Sequence, residues 1–261
     1  DGIQVLICGA GSPLPDPERS APCNHVIVGD KHFVIDAGSL NLGAFERNPA
    51  HIDAVLLTHF HSDHIAALGD LMMQRWVGSN AEKPLDIFGP KGVNKVVDGF
   101  NMAYGLDSFY RTAHHGEAIA PTSGKGGNAV TFNAPEHGEI TVYDRDGIRI
   151  VAFLVSHNPI EPAVGYRIDY KGRSVVFSGD TTADDNLIAA SNNADLIIHE
   201  ALSLRLVSSL ENIAKDVGQN TMSKIFFDIQ DYHTDPIDAA KVAAKANAKA
   251  LVLSHVVPML P

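Results

Sequence analysis

His59-Phe60-His61-Ser62-Asp63-His64 follows the apolar run Ala54-Val55-Leu56-Leu57 and packs three imidazoles and one carboxylate into a single short segment. Side chains alternate along a strand, so His59 and His61 can point the same way, and a turn beginning near Ser62 can bring Asp63 and His64 around from a second side. One metal ion would be crowded by this set; two would fit. Imidazole and carboxylate donors without a thiolate suit zinc first, with manganese or iron as the other occupants.

The same arrangement recurs along the chain. Apolar strands end in a residue able to bind metal or move a proton: Phe153-Leu154-Val155 runs into His157, Val175-Val176-Phe177 into Asp180, Leu196-Ile197-Ile198 into His199 and Glu200, and Leu251-Val252-Leu253 into His255. Strand ends on one edge of a sheet form a common rim where groups distant in sequence converge. An isolated histidine of this kind is more often a core group; five strand ends in one context point to a site.

The chain has 261 residues, 45% hydrophobic and 20% charged, enough to bury a large core in a single domain. Its formal net charge of −11 provides no basic field for a polyanion. A large RNA such as tRNA is therefore disfavoured, whereas bound divalent cations would leave small-molecule anionic substrates attracted to the site itself. No run of about 18 apolar residues exists, so no membrane span is expected. Cys8 and Cys23 lack CxxC spacing; they read as small buried hydrophobes, with a disulfide across the first hairpin the alternative in an exported protein. The opening at Asp1 is compatible with removal of an N-terminal segment, a signal peptide among the explanations, which leaves the localisation open between cytoplasmic and exported (periplasmic).

Short β-branched stretches at Ile3 to Cys8, Val26 to Val28, Phe33 to Ile35, Leu85 to Phe88, Ile148 to Val155, Ala163 to Asp169 and Ser174 to Phe177 join the runs above as predicted strands. Hairpin turns are expected at Gly29-Asp30-Lys31 and Lys171-Gly172-Arg173. Helices are expected over Ile65 to Val77, Lys91 to Gly105, Asp184 to Ala190, Ala201 to Val217 and Pro236 to Ala246, the last capped by Asp235 with Pro236 at its first position. Hairpins early and strand–helix alternation later predict an α/β, αββα sandwich of two mixed sheets flanked by helices. Residues 112–137 read as an irregular insertion and a candidate substrate lid. Tentative substrate contacts are Arg111, to clamp an anion, with Tyr104 and His115.

The chain resembles the metallo-β-lactamase-fold superfamily, whose HxHxDH motif is His59 to His64 here, and the resemblance spans nearly the whole sequence. It implies that His59, His61 and His157 hold one metal, that Asp63, His64 and His255 hold the second, and that Asp180 and a water or hydroxide bridge them. Within the superfamily it is most similar to the tRNase Z-like branch, which includes arylsulfatase-like and phosphodiesterase members. His199-Glu200-Ala201 resembles that branch's HEA motif and His233-Thr234-Asp235 its HST motif. The resemblance implies that Glu200 and His233 donate a proton to the leaving group, and it makes a homodimer compatible with the chain. A PxKxRN-like loop and a basic exosite arm are not found, and Asp180 speaks against lactam hydrolysis as the main task.

Together these features predict a metal-dependent hydrolase with a dinuclear zinc site and a bridging hydroxide, acting on phosphodiesters or aryl sulfates, with Asp63 orienting the nucleophile. A lactonase or β-lactamase-like hydrolase is the second enzymatic reading, and an iron-bound redox or sensory protein the reading from another class. Thr58, Ser156 and Ser254 each precede a metal-ligand candidate and read as ordinary small residues at strand ends, with the fixing of imidazole tautomers as the alternative.

Overall fold

The computed structural model describes residues 2–14, 16, 18–40 and 49–258; the chain ends at Asp1 and Pro261 lie outside them. The fold comprises two compact units, Asp1–Pro13 with Pro17–Asn133 and Leu14–Asp16 with Ala134–Pro261.

The first unit carries a six-stranded sheet in the order β1 (Ile3–Gly9), β2 (Cys23–Val28), β3 (Lys31–Ala37), β4 (Ala54–Leu56), β5 (Leu85–Gly89) and β6 (Gly127–Thr131). The β1 to β3 meander is antiparallel, and β3 to β6 run parallel. Parallel pairing needs crossovers, and these hold α1 (Ser62–Ile65), α2 (Leu68–Ser79), α3 (Val93–Ala103) and α4 (Gly105–His115). Val34, Val55, Leu57, Ile87, Leu71 and Met72 form its core. Cys8 and Cys23 are joined as a disulfide.

The second unit repeats the plan, with β7 (Ile140–Arg145), β8 (Ile148–Val155), β9 (Ala163–Tyr170) and β10 (Arg173–Phe177) antiparallel, then β11 (Leu196–Leu202) and β12 (Leu251–Val257) parallel to β10. Its helices are α5 (Asp185–Ala190), α6 (Leu204–Asp216), α7 (Asn220–Asp228) and α8 (Pro236–Lys245). The Asp235 carboxylate caps α8 by accepting from the Ile237 N–H, with Pro236 in the first turn. Phe153, Val176, Leu187, Ile197 and Val242 make the core.

Gly165 is a point of close packing in that core, because a Cβ there would fall 2.5 Å from the Phe153 ring and 2.8 Å from the Phe177 carbonyl oxygen. Gly165→Ala is expected to cost about 1–3 kcal/mol, the usual penalty for overpacking, read as a lowered denaturation midpoint at constant slope. An unchanged midpoint would mean that the sheet yields there.

Residues 112–137 are not the irregular insertion expected. They hold the end of α4, a 3-10 turn at Thr122–Gly124 and β6. The β6 strand gains its regularity from parallel pairing with β5, a long-range partner that a local reading of glycine-rich sequence does not see. No helix among the described residues is long and apolar enough to cross a membrane.

Candidate metal centre

Each unit gathers side chains able to hold a metal at or just beyond the ends of its strands. In the first unit β4 ends at Leu56, the Leu57 N–H is held by the Phe88 carbonyl at 2.8 Å, and the chain turns through Thr58 to His59 before α1 begins at Ser62. Beside it, the penultimate residue of β3 is Asp36, a buried carboxylate that the sequence reading did not single out. Asp36 Oδ1 accepts the Thr58 N–H at 2.8 Å, and Oδ2 accepts both the Thr58 hydroxyl and the His64 Nδ1 proton at 2.8 Å each. With its own proton given to Asp36, Thr58 Oγ1 accepts from His59 Nδ1 at 3.1 Å. A carboxylate can only accept, so this chain fixes the proton of both rings on Nδ1 and leaves Nε2 as the lone-pair nitrogen. His59 Nε2 stands 3.0 Å from His61 Nδ1, and His64 Nε2 stands 3.7 Å from Asp63 Oδ2.

In the second unit His157 follows β8 and donates Nδ1–H to the Tyr232 carbonyl at 2.9 Å, again leaving Nε2 for another partner. Asp180 follows β10. Its Oδ2 lies 3.9 Å from His157 Nε2 and 3.4 Å from His255 Nε2, so one carboxylate oxygen reaches toward both rings. His255 is the extra residue where the β11–β12 register shifts: Ser254 faces Glu200 and Val256 faces Ala201. Its φ of 47° is rare for a residue with a side chain, and the bulge re-aims the imidazole out of the ladder.

Glu200 on β11 organises the remainder. Its Oε1 accepts the Thr181 N–H at 3.1 Å, the Thr234 N–H at 3.2 Å and His233 Nδ1 at 2.9 Å. His233 is mostly buried, with its ring centroid 5.2 Å from that of His157 and 5.6 Å from that of His255. Burial alone would lower the His233 pKa, but the Glu200 charge and hydrogen bond, with Asp180, outweigh it and hold the pKa above the ordinary value. His199, next to Glu200, is buried, with Nδ1 2.7 Å from the Glu200 carbonyl oxygen; desolvation lowers its pKa and keeps it neutral.

Of the three small residues that precede ligand candidates, Thr58 does orient an imidazole, whereas His157 takes its partner from the Tyr232 backbone. The tentative substrate contacts are engaged locally. Arg111 pairs with Asp107 at 2.7 Å, Tyr104 packs against Gly69 beside a cavity of about 200 Å³ shared with Trp76 and Met72, and His115 lies edge-on to His114.

The donor chemistry in both units fits divalent ions: imidazoles pinned through Nδ1, with carboxylates among them and no free thiolate.

Residues 32–256 match the family described as "Beta-lactamase superfamily domain", and the chain belongs to that superfamily. A Ribonuclease Z of Mycobacterium marinum is 35% identical across 99% of this chain and 88% of its own length. Among solved structures, the metallo-beta-lactamase fold protein YhfI from Bacillus subtilis matches with a TM-score of 0.69 at 22% identity, covering 100% of this chain and 89% of its own. Human tRNase Z, short form (ELAC1), matches with a TM-score of 0.69 at 23% identity, covering 97% and 92%. The branch is the tRNase Z-like one, and the fold class is α/β and metallo-β-lactamase-like, as the sequence predicts.

One expectation is overturned. Acidic net charge was read as making tRNA a disfavoured partner, yet relatives that align over nearly the whole chain are named Ribonuclease Z. Net charge sums over an entire surface, whereas bound divalent ions place positive charge at the site itself.

Proposed function

We propose that this chain is a metal-dependent phosphodiesterase that cleaves RNA, with tRNA as its first candidate substrate. His59, His61 and His157 would hold one divalent ion, and Asp63, His64 and His255 a second, with Asp180 shared between them; zinc suits the donors best. When bound, such ions supply an activated water and a positive clamp for the ester oxygens. His233 would give its proton to the departing ribose oxygen, and Glu200 holds the ring in place and keeps it charged.

The observation that carries this reading is the Glu200–His233 pair: a buried imidazole 2.9 Å from a carboxylate oxygen that two backbone N–H groups also fix. Such a pair suits a reaction with a poor leaving group and has no evident use in iron redox chemistry. The names of the relatives support phosphodiesters in RNA among the esters that could use it.

The test compares a tRNA transcript, an unstructured RNA of equal length, bis-p-nitrophenyl phosphate and p-nitrophenyl sulfate on the metal-loaded chain. Cleavage of tRNA and the phosphodiester is expected, with loss on chelation and recovery with zinc or manganese. Turnover of the sulfate in their place would refute the phosphodiester reading.

A further inference from the structure

Two irregularities meet at one step of β2. Pairing of β1 with β2 passes from Ile7 opposite Asn24 to Gly9 opposite Cys23, which leaves Cys8 as an extra residue. Pairing of β3 with β2 passes from Ile35 opposite Asn24 to Ala37 opposite Cys23, which leaves Asp36 as the extra residue on the other side. The Cys23–Asn24 step is thus flanked by two bulges. One holds half of a disulfide; the other holds the carboxylate that orients Thr58 and His64.

Bulges interrupt the ladder, so the backbone at this step needs other support. Asp36 sits at a φ of 59°, a conformation that persists in a residue with a side chain only where the surroundings over-determine it. Three links supply that support: the Cys8–Cys23 bond, the Gly38 N–H donated to the Pro22 carbonyl at 2.9 Å, and the Ser39 hydroxyl donated to the Cys8 carbonyl at 3.4 Å. Gly38 in turn lies directly against the backbone of Asp63, where a Cβ would fall 1.6 Å from the carbonyl oxygen. Two short routes therefore run from the sulfurs to metal-ligand candidates, one through Pro22 and Gly38 to Asp63 and one through Ala37 and Asp36 to His64.

We infer that the Cys8–Cys23 disulfide is a positioning element for the metal-binding segment His59 to His64, so that the thiol–disulfide state of the pair sets how tightly the chain holds metal. The inference rests on the reading of Asp63 and His64 as metal ligands. Both sulfurs are buried, Cys8 at 5% and Cys23 at 0% exposure, so a reductant reaches them when the end of β1 opens. The step itself is thiol–disulfide exchange: a dithiol gives two electrons and two protons, its own sulfurs close into a disulfide, and Cys8 and Cys23 become thiols. The end of β1 is then free to slip along β2 at the step that also carries Asp36.

The test measures zinc retention against a chromogenic chelator, and the visible spectrum of the cobalt(II) form, for the oxidised chain, the chain reduced with a dithiol without oxygen, and a chain carrying Cys8→Ser with Cys23→Ser. Gly165→Ala serves as a control that lowers stability away from this step. The reduced chain and the double variant are expected to release zinc about tenfold more readily, to give an altered cobalt spectrum, and to regain phosphodiester turnover in excess metal. Circular dichroism should remain unchanged, and Gly165→Ala should retain metal as the unaltered chain does. Equal retention and equal spectra in reduced and oxidised chains would overturn the inference, as would a Gly165→Ala chain that loses metal to the same extent. An oxidised chain that binds no metal overturns the metal-centre reading and this inference with it, an outcome distinct from metal binding indifferent to the disulfide.

Discussion

Replacing His233 by alanine is expected to lower kcat on a phosphodiester by about 10²- to 10⁴-fold, the usual worth of a positioned general acid, while metal content stays at that of the unaltered chain. The ring is held 2.9 Å from Glu200 Oε1, and His233 is not itself among the proposed metal donors. Glu200→Gln separates charge from shape, because an amide oxygen can still accept the Thr181 and Thr234 N–H groups. The acid works in its protonated form, which is present below the folded pKa and lost as pH rises through it. Since burial lowers this pKa but the Glu200 charge, its hydrogen bond and Asp180 raise it further, the alkaline limb of kcat should lie above the ordinary histidine value of 6.5. In Glu200→Gln it should move to lower pH. The same sign governs stability: the pair's contribution is complete below the unfolded value and disappears as pH rises through the raised one. A His233→Ala chain with undiminished kcat, or a limb indifferent to Glu200, would remove His233 from the chemistry.

Asp36→Asn should weaken metal binding by about 10–100-fold, the usual effect of losing a group that orients a ligand. Asparagine tolerates the positive φ of this position, so the backbone has no reason to move. The hydrogen bonds do. Asp36 accepts from Thr58 N, Thr58 Oγ1 and His64 Nδ1, and an amide cannot accept on both of its arms. With the NH₂ turned toward His64, the ring must place its proton on Nε2, the nitrogen proposed to face the metal. A calorimetric zinc titration decides the matter, and an affinity equal to that of the unaltered chain would show that His64 is oriented by other means.

Much of this was legible because the site sits where local patterns are strongest. Apolar runs ending in His59, His157, Asp180, Glu200 and His255 are visible residue by residue, and so is the Asp235-Pro236 start of α8. Asp36 carries the same signature after Phe33-Val34-Ile35, but with a lone carboxylate and no histidine beside it the segment read as an ordinary strand. The β6 and β7 strands were missed because edge strands are half exposed and mix polar with apolar residues, as in Asn128-Ala129-Val130-Thr131. The α4 and α7 helices were missed because exposed Phe109, Tyr110 and Phe227 blur the apolar stripe that marks a packed helix. The tRNA error had another origin: total charge was allowed to stand for charge at the site.

The irregular pairings also bear on how the folded chain keeps to itself at high concentration. An edge strand offers unpaired backbone groups to any other strand, and natural sheets blunt that offer with bulges and polar residues. The β1, β7 and β12 strands lie at sheet edges, and each ladder to its single neighbour carries a register shift, while the β6 edge carries Asn128 and Thr131. A second molecule trying to zip onto these edges would lose register within a few residues, so strand-by-strand growth into fibrils is blocked by the same backbone kinks that turn His255 and the Cys8 sulfur to their tasks.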